Sequence, residues 1–200
     1  MDAGCGIGGG LLWLEQRESQ WQLEGYTVSK EQYDFIQQEL PPHRFRVFLR
    51  SYDEPQGSFN AIYSLEALIH SPDLPTTLKA WSRHLQSGGI VVLIDDFRSE
   101  AWPAQRKELV GSSEIQAALG MFERGWLAKA FVTPARLAEL AHEHGLRMVA
   151  NRDIGAEYDV VGRNYGHNAP RLPQERDWGK HQGWLGAMAR RILTVRGLVE

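Results

Sequence analysis

Apolar positions along the chain come in short blocks that switch between helical and extended spacing. Gly9 to Glu18, with Leu11, Leu12 and Leu14, has the spacing of a helix, and Gln22 to Thr27 is a short extended run. Ser29-x-x-Gln32 has the form of a capping box, the hydroxyl accepting from the N3 amide while the Gln amide reaches back. A helix is expected from there to about Leu40, where Pro41-Pro42 stops it. Arg44 to Leu49 alternates polar and apolar residues and predicts a strand. Asp53 to Ser58 is turn-rich, and Phe59 to Ser64 predicts the next strand. Pro72 suits the first position of a helix running to Gln86, broken by Gly88-Gly89. Ile90 to Ile94 is a β-branched run of the kind buried on both faces of a parallel sheet. Thr133 caps a helix that Pro134 starts and Gly145 ends, and Leu146 to Ile154 reads as a strand.

This alternation predicts an α/β fold, a doubly wound and mostly parallel sheet with helices on both faces. Two stretches break it: 98–132, with Trp102, Met121, Phe122, Trp126 and Phe131, and 158–195, with Tyr165, Trp178 and Trp184. Both are too long for simple connections, and both read as lid-like insertions over an acceptor. The competing reading, that the aromatics cement helices onto the core, carries equal weight for Trp178 and Trp184.

Composition narrows the class. A chain of 200 residues with 42% apolar and 24% charged residues suits one globular domain spanning 1–200. A net charge of -3 argues against a nucleic-acid partner. Cys5 is the lone cysteine, so no intramolecular disulfide forms and a reducing compartment is compatible. With no long apolar run and no signal peptide, a soluble cytoplasmic protein is expected.

The densest chemistry lies in the first ten residues, Met1-Asp2-Ala3-Gly4-Cys5-Gly6-Ile7-Gly8-Gly9-Gly10. Alternating glycines let a backbone turn sharply and approach a ligand where a Cβ would clash. Gly4-x-Gly6-x-x-Gly9 also satisfies the dinucleotide fingerprint. Against a nicotinamide site stand Asp2 directly before the loop and Thr27, where a ribose-binding acid is wanted.

Asp2-x-Gly4-Cys5-Gly6-x-Gly8-Gly9 resembles motif I of the class I S-adenosylmethionine-dependent methyltransferases. Gly25-Tyr26-Thr27-Val28-Ser29-Lys30-Glu31-Gln32 is similar to the second motif of cyclopropane-fatty-acid synthases and of tocopherol and sterol C-methyltransferases. The run Phe59 to His70, with Ser64-x-Glu66-x-x-x-His70, resembles their fourth strand, and Ser87 to Asp96 their fifth with its preceding glycine pair. Four such segments in order make a Rossmann-like methyltransferase the expected fold, with S-adenosylmethionine as cofactor and a small-molecule acceptor.

The resemblance implies roles. Gly4, Gly6 and Gly8 approach the methionine moiety, with Cys5 as the small residue of a tight loop; Asp2 organises the loop and the amino group. Thr27 and Gln32 match the ribose-holding positions, although the capping box competes for Gln32. Ser51 and Tyr52 stand where many relatives carry an adenine-binding acid, so adenine is read by these or by backbone groups. Ser64 bounds the site. His70 matches the proposed base of rebeccamycin-type sugar O-methyltransferases, with Glu66 on the same face should the segment turn helical, and Asp96 as the assisting acid. Against this, His70 closes a helix N-terminus and Asp95 caps a loop. His142 and His144, two apart, lack metal-ligand spacing, and no metal is expected.

The expected activity is O- or C-methylation of an apolar or amphipathic small molecule. The alternatives are cyclopropane-synthase-like lipid modification, or a non-catalytic remnant of the fold. The remnant is suggested by the ends: the first strand reduces to Met1-Asp2, and Gly197 to Glu200 resembles only the opening of the last, antiparallel strand. Both strands are therefore expected to be incomplete, as in a fragment.

Overall fold

The computed structural model describes residues 1–98, 113–154 and 188–197. In chain order the elements are β1 (Asp2–Ala3), α1 (Gly9–Arg17), β2 (Glu24–Thr27), α2 (Lys30–Glu39), β3 (Arg46–Leu49), β4 (Phe59–Leu65), a 3-10 turn (Leu68–His70), α3 (Leu74–His84), β5 (Leu85–Arg98), α4 (Ser113–Gly125), α5 (Pro134–Glu143), β6 (Leu146–Asp153) and β7 (Met188–Gly197). The strands form one sheet in the order β3-β2-β1-β4-β5-β7-β6. The pairings from β3 to β5 are parallel, and β7 runs antiparallel to both β5 and β6. This is the Rossmann-like arrangement expected, with strand order reversing beside β1, the place where open α/β sheets bind ligands at the carboxyl ends of their strands.

Neighbouring residues of β2 show how the two faces are filled. A Cβ on Gly25 would meet Leu11 Cδ1 at 2.6 Å and Cys5 Sγ at 2.9 Å, so only glycine lets α1 lie this close. The next residue, Tyr26, points to the other face and joins Ile62, Val91, Leu93 and Trp81 in the larger core. Leu11 of α1 and Ile36 of α2 form the smaller core with Cys5, Leu23 and Phe45. Leu78 and Trp81 of α3 and Leu137, Leu140 and Ala141 of α5 close the larger one.

β1 is two residues long and pairs in parallel with Gly25 and Tyr26 on one side and Tyr63 on the other. Three expectations need correction. The last strand is not an incomplete one beginning at Gly197: it is the ten-residue Met188–Gly197. Its neighbours β5 and β6 supply backbone partners on both sides, which the sequence pattern alone does not reveal. The supposed 158–195 insertion therefore ends in sheet from Met188 onward; Tyr165, Trp178 and Trp184 lie outside the described residues. Pro72 does not open α3, which begins at Leu74 with Pro75 in its first turn. Gly88-Gly89 does not precede the fifth strand but lies inside it: pairing jumps from Phe59↔Leu85 to Ala61↔Ile90, and Gly88 takes φ +72°, a bulge that absorbs the extra residues.

Candidate active site

The chain leaves β1 into a loop pinned by the Tyr26 carbonyl, which accepts from the amides of Gly4 (3.1 Å) and Cys5 (2.9 Å). Gly4, Gly6 and Gly8 all have positive φ, at +90°, +54° and +84°. Their surroundings differ. A Cβ on Gly4 would sit 2.4 Å from that of Ala67, and one on Gly8 would touch Leu40 at 3.0 Å, so these two glycines serve packing. Gly6 has nothing within 4 Å. Like Gly9 at the start of α1, it is a position where the bare backbone borders open space, and where another molecule can approach.

Asp2 and Cys5 are turned inward. Asp2 is 3% exposed; its Oδ2 accepts from the Tyr63 hydroxyl at 2.7 Å and lies 3.5 Å from where a Gly10 Cβ would be, under the first turn of α1. Burial raises its carboxyl to about 6, against the opposing Tyr63 bond and Met1 ammonium. The Cys5 thiol, pushed up to about 12 by burial and then by Asp2, faces Gly25 from the α1 side.

At the end of β2 the Thr27 hydroxyl donates to Gln32 Oε1 at 2.7 Å and accepts from the Ser29 amide at 3.2 Å. Ser29 Oγ accepts from the Gln32 amide at 3.2 Å. The capping box is therefore half made: the hydroxyl caps the helix, while Thr27 serves the amide that Gln32 was expected to reach. This frees Gln32 from the cap and sets it beside Thr27. Ser51 Oγ is taken up in a turn, donating to Asp53 Oδ2 and accepting from the Asp53 amide, both at 3.1 Å. Tyr52 donates to the Ala67 carbonyl at 3.0 Å, and its own carbonyl accepts from Trp81 Nε1 at 3.1 Å. Ser64 is fully buried, its hydroxyl without a partner.

Beyond β4 the chain does not turn into an α-helix. Glu66 has φ +51°, and a 3-10 turn follows at Leu68–His70, so Glu66 and His70 share no helix face. Both are exposed. His70 Nδ1 lies 3.4 Å from the Leu127 carbonyl. A carbonyl only accepts, so it is the Nδ1–H form of the ring that makes this contact, the form in which Nε2 carries the lone pair. The carboxylate that engages this turn belongs to Asp95, whose Oδ2 accepts from the Ile69 amide at 3.0 Å. Asp96, one residue on, projects from the other face of β5 and is half-buried. The sequence held a usable signal: Val91, Leu93 and Asp95 alternate on the buried face. Tyr63, the partner of Asp2, also escaped sequence reasoning, because its contact spans 61 positions.

Part of the 98–132 insertion covers the same turn. The Ala130 amide donates to the Ile69 carbonyl at 2.9 Å, and Phe131 and Ala128 pack with Ile69 in a small core flanked by Phe122. Phe131 thus cements the insertion, whereas Met121, Trp126 and Leu127 remain more than 60% exposed. Trp102 lies outside the described residues. Among the described residues no three potential ligands converge on a metal position, and no helix is long and apolar enough to cross a membrane.

A family model described as a methyltransferase domain matches residues 1–151. A 2-methyl-6-phytyl-1,4-hydroquinone methyltransferase from Synechocystis is 32% identical over 99 residues, covering 48% of this chain and 31% of that protein. A trans-aconitate 2-methyltransferase from Deinococcus radiodurans is 31% identical over 165 residues, 80% of this chain and 62% of that protein. The chain thus spans only part of the curated relatives it matches. Among solved structures, geranyl diphosphate C-methyltransferase from Streptomyces coelicolor superposes with a TM-score of 0.70 at 17% identity, over 99% of this chain and 70% of that one. A mycolic acid cyclopropane synthase superposes at 0.68 and 18% identity, over 98% and 76%. These two likenesses speak to the fold. With the sequence match over residues 1–151 and the glycine loop at the reversal of strand order, they place the chain in the methyltransferase domain family, of the class I S-adenosylmethionine-dependent kind.

Proposed function

We propose that this domain transfers a methyl group from S-adenosylmethionine to an oxygen or carbon of an apolar or amphipathic small molecule. The observation that carries the reading is the loop at Gly6, whose half-buried left-handed backbone meets no atom where a side chain would stand. The residues present fit the cofactor: Gly6 for close approach, and Thr27 with Gln32 as a hydroxyl and an amide 2.7 Å apart at the tip of β2 for its ribose. When bound, S-adenosylmethionine supplies an electrophilic methyl on a cationic sulfur.

The chain's own part is to hold, orient and deprotonate. Ordering two reactants in line supplies roughly 7–11 kcal/mol of the barrier. His70, with Nδ1 committed to the Leu127 carbonyl, has Nε2 available to take the proton of an acceptor hydroxyl as its oxygen is alkylated. Glu66 stands four residues away for an acceptor that passes through a cationic state. The exposed Met121, Trp126 and Leu127 beside this turn suit an acceptor with an apolar tail. The Synechocystis relative, named for a phytyl hydroquinone, supports that class. A second reading, cyclopropane-synthase-like lipid modification, is favoured by the segment Thr27-x-Ser29-x-x-Gln32. The buried free thiol of Cys5 suits a reducing cytoplasm.

The test is methyl transfer from radiolabelled S-adenosylmethionine to a hydroquinone bearing a short isoprenoid tail, parent against His70→Ala. Turnover is expected to fall on the order of 10²–10⁴-fold with cofactor affinity unchanged. Equal turnover would remove His70 as base and leave positioning as the contribution.

A further inference from the structure

The turn that carries His70 is held by groups from three other parts of the fold. From β5, Asp95 Oδ2 accepts from the Ile69 amide at 3.0 Å while Oδ1 accepts from the Asp96 amide at 2.9 Å. From the loop after β3, the Tyr52 hydroxyl donates at 3.0 Å to the Ala67 carbonyl, which also accepts from the His70 amide at 3.1 Å. From the insertion, the Ala130 amide donates to the Ile69 carbonyl, and the Leu127 carbonyl faces His70 Nδ1. Of these ties only Asp95 is a carboxylate, and it is 2% exposed.

Burying a carboxylate is costly, and a neutral oxygen also satisfies a backbone amide. Asp95 is thus an expensive way to make a purely structural turn. Its two oxygens each take a backbone N–H, one on its own strand and one on the turn. The side chain is thereby locked, and the turn is fixed to the rigid middle of the sheet rather than to a loop. The titratable groups bearing on Asp95 are His70 from the turn, Asp96 from its own strand and Tyr52 from the loop after β3.

We infer that Asp95 is a positioning residue: acting through the Ile69 amide, it fixes the turn so that His70 keeps Nδ1 on the Leu127 carbonyl and presents Nε2 as the basic nitrogen. The inference rests on His70 being the base of the proposed methyl transfer. Asp95 touches neither cofactor nor acceptor. The proton moves from the acceptor hydroxyl to Nε2, and the Asp95 carboxylate holds in place the turn that carries the imidazole.

The experiment uses the 200-residue chain and requires no acceptor. Nitrogen-15 NMR of the His70 ring at about pH 8.5, above the ordinary imidazole range, reports the tautomer, and amide exchange reports protection at Ile69. In the parent, the Nδ1–H tautomer is expected to dominate and the Ile69 amide to exchange slowly. In Asp95→Ala, the tautomers should mix and Ile69 exchange should quicken at least tenfold, while amides of β4 and β5 away from the turn keep their protection. Asp95→Asn, of the same shape, should show an intermediate effect, since its single oxygen can serve only one of the two amides; it also stands in should the Ala variant fail to fold. An unchanged tautomer and unchanged Ile69 exchange in the folded variant would overturn the inference. So would a loss of protection spread over the whole sheet, which would make Asp95 a general stabiliser. Full turnover of His70→Ala with the hydroquinone probe would instead defeat the reading of His70 as base while leaving the ring and amide results standing, so the two failures are distinguishable.

Discussion

Gly4 and Gly6 stand two apart in one loop and answer to different demands. A methyl on Gly4 collides with Ala67 Cβ at 2.4 Å, and its φ of +90° suits no L side chain. Gly4→Ala should therefore cost at least about 2 kcal/mol of folding stability through overpacking and strain. At Gly6 the space is free and φ is +54°, a conformation Ala adopts at about 1–2 kcal/mol. Gly6→Ala should leave the fold mostly intact and weaken S-adenosylmethionine binding tenfold or more; urea denaturation and calorimetry of both variants separate the effects. The glycine motif was legible in the sequence, but the division of labour within it was not, because Ala67 reaches Gly4 from 63 positions away.

Asp95 makes a second prediction at this scale. Burial raises its carboxyl from 3.8 to about 6, so between those values the folded protein holds a proton that the unfolded chain has released. Stability from this group is thus greatest at low pH and declines as pH rises through about 6, by on the order of 3 kcal/mol in all. Asp2, also raised to about 6, adds a slope of the same sign. Asp95→Asn removes one contribution. Parent stability minus variant stability, from denaturant unfolding at about pH 4.5 and pH 7.5, should fall as pH rises. A difference that grows with pH would show that the carboxylate is stabilised rather than penalised in place.

Among the elements, β2 and α2 show how a local motif can be read two ways. The spacing Ser29-x-x-Gln32 was open to a capping box and to a ligand pair, and the structure completes only half of the box: Ser29 caps the Gln32 amide, but Thr27 takes the Ser29 amide and the Gln32 side chain. Thr27→Val keeps the shape and deletes the hydroxyl. It should cost about 1 kcal/mol at the start of α2 and reduce cofactor affinity about tenfold, with turnover at saturating cofactor unchanged; equal affinity would detach Thr27 from the site. The parallel strands were legible because each is a short apolar run between clear breaks. β7 was not: Met188-Ala-Arg-Arg-Ile-Leu-Thr-Val-Arg-Gly197 puts two arginines in succession and lacks a period of two. Its extended form comes from ladders with β5 and β6, nine register pairs with the former alone, and no local pattern encodes partners so distant.

Across the whole molecule, the reversal of strand order beside β1 brings the glycine loop, the Thr27–Gln32 pair and the His70 turn to one edge of the sheet, and the inner segment of the insertion packs over that turn. Strand order and motif order agreed because each expected site segment directly follows a strand, so the fold delivers all of them to the carboxyl ends. Which aspartate holds the turn at Leu68–His70 was the part that sequence missed. That is a matter of sheet register, which decides which of two adjacent aspartates faces the turn. The claim on which the rest depends is that this edge binds S-adenosylmethionine. Isothermal titration of the 200-residue chain with S-adenosylmethionine, alongside the Gly6→Val variant, addresses it most directly. The account expects one site per chain in the parent and none in the variant, whose folded state is checked by circular dichroism. No binding by a folded parent, or equal binding by both, would contradict it.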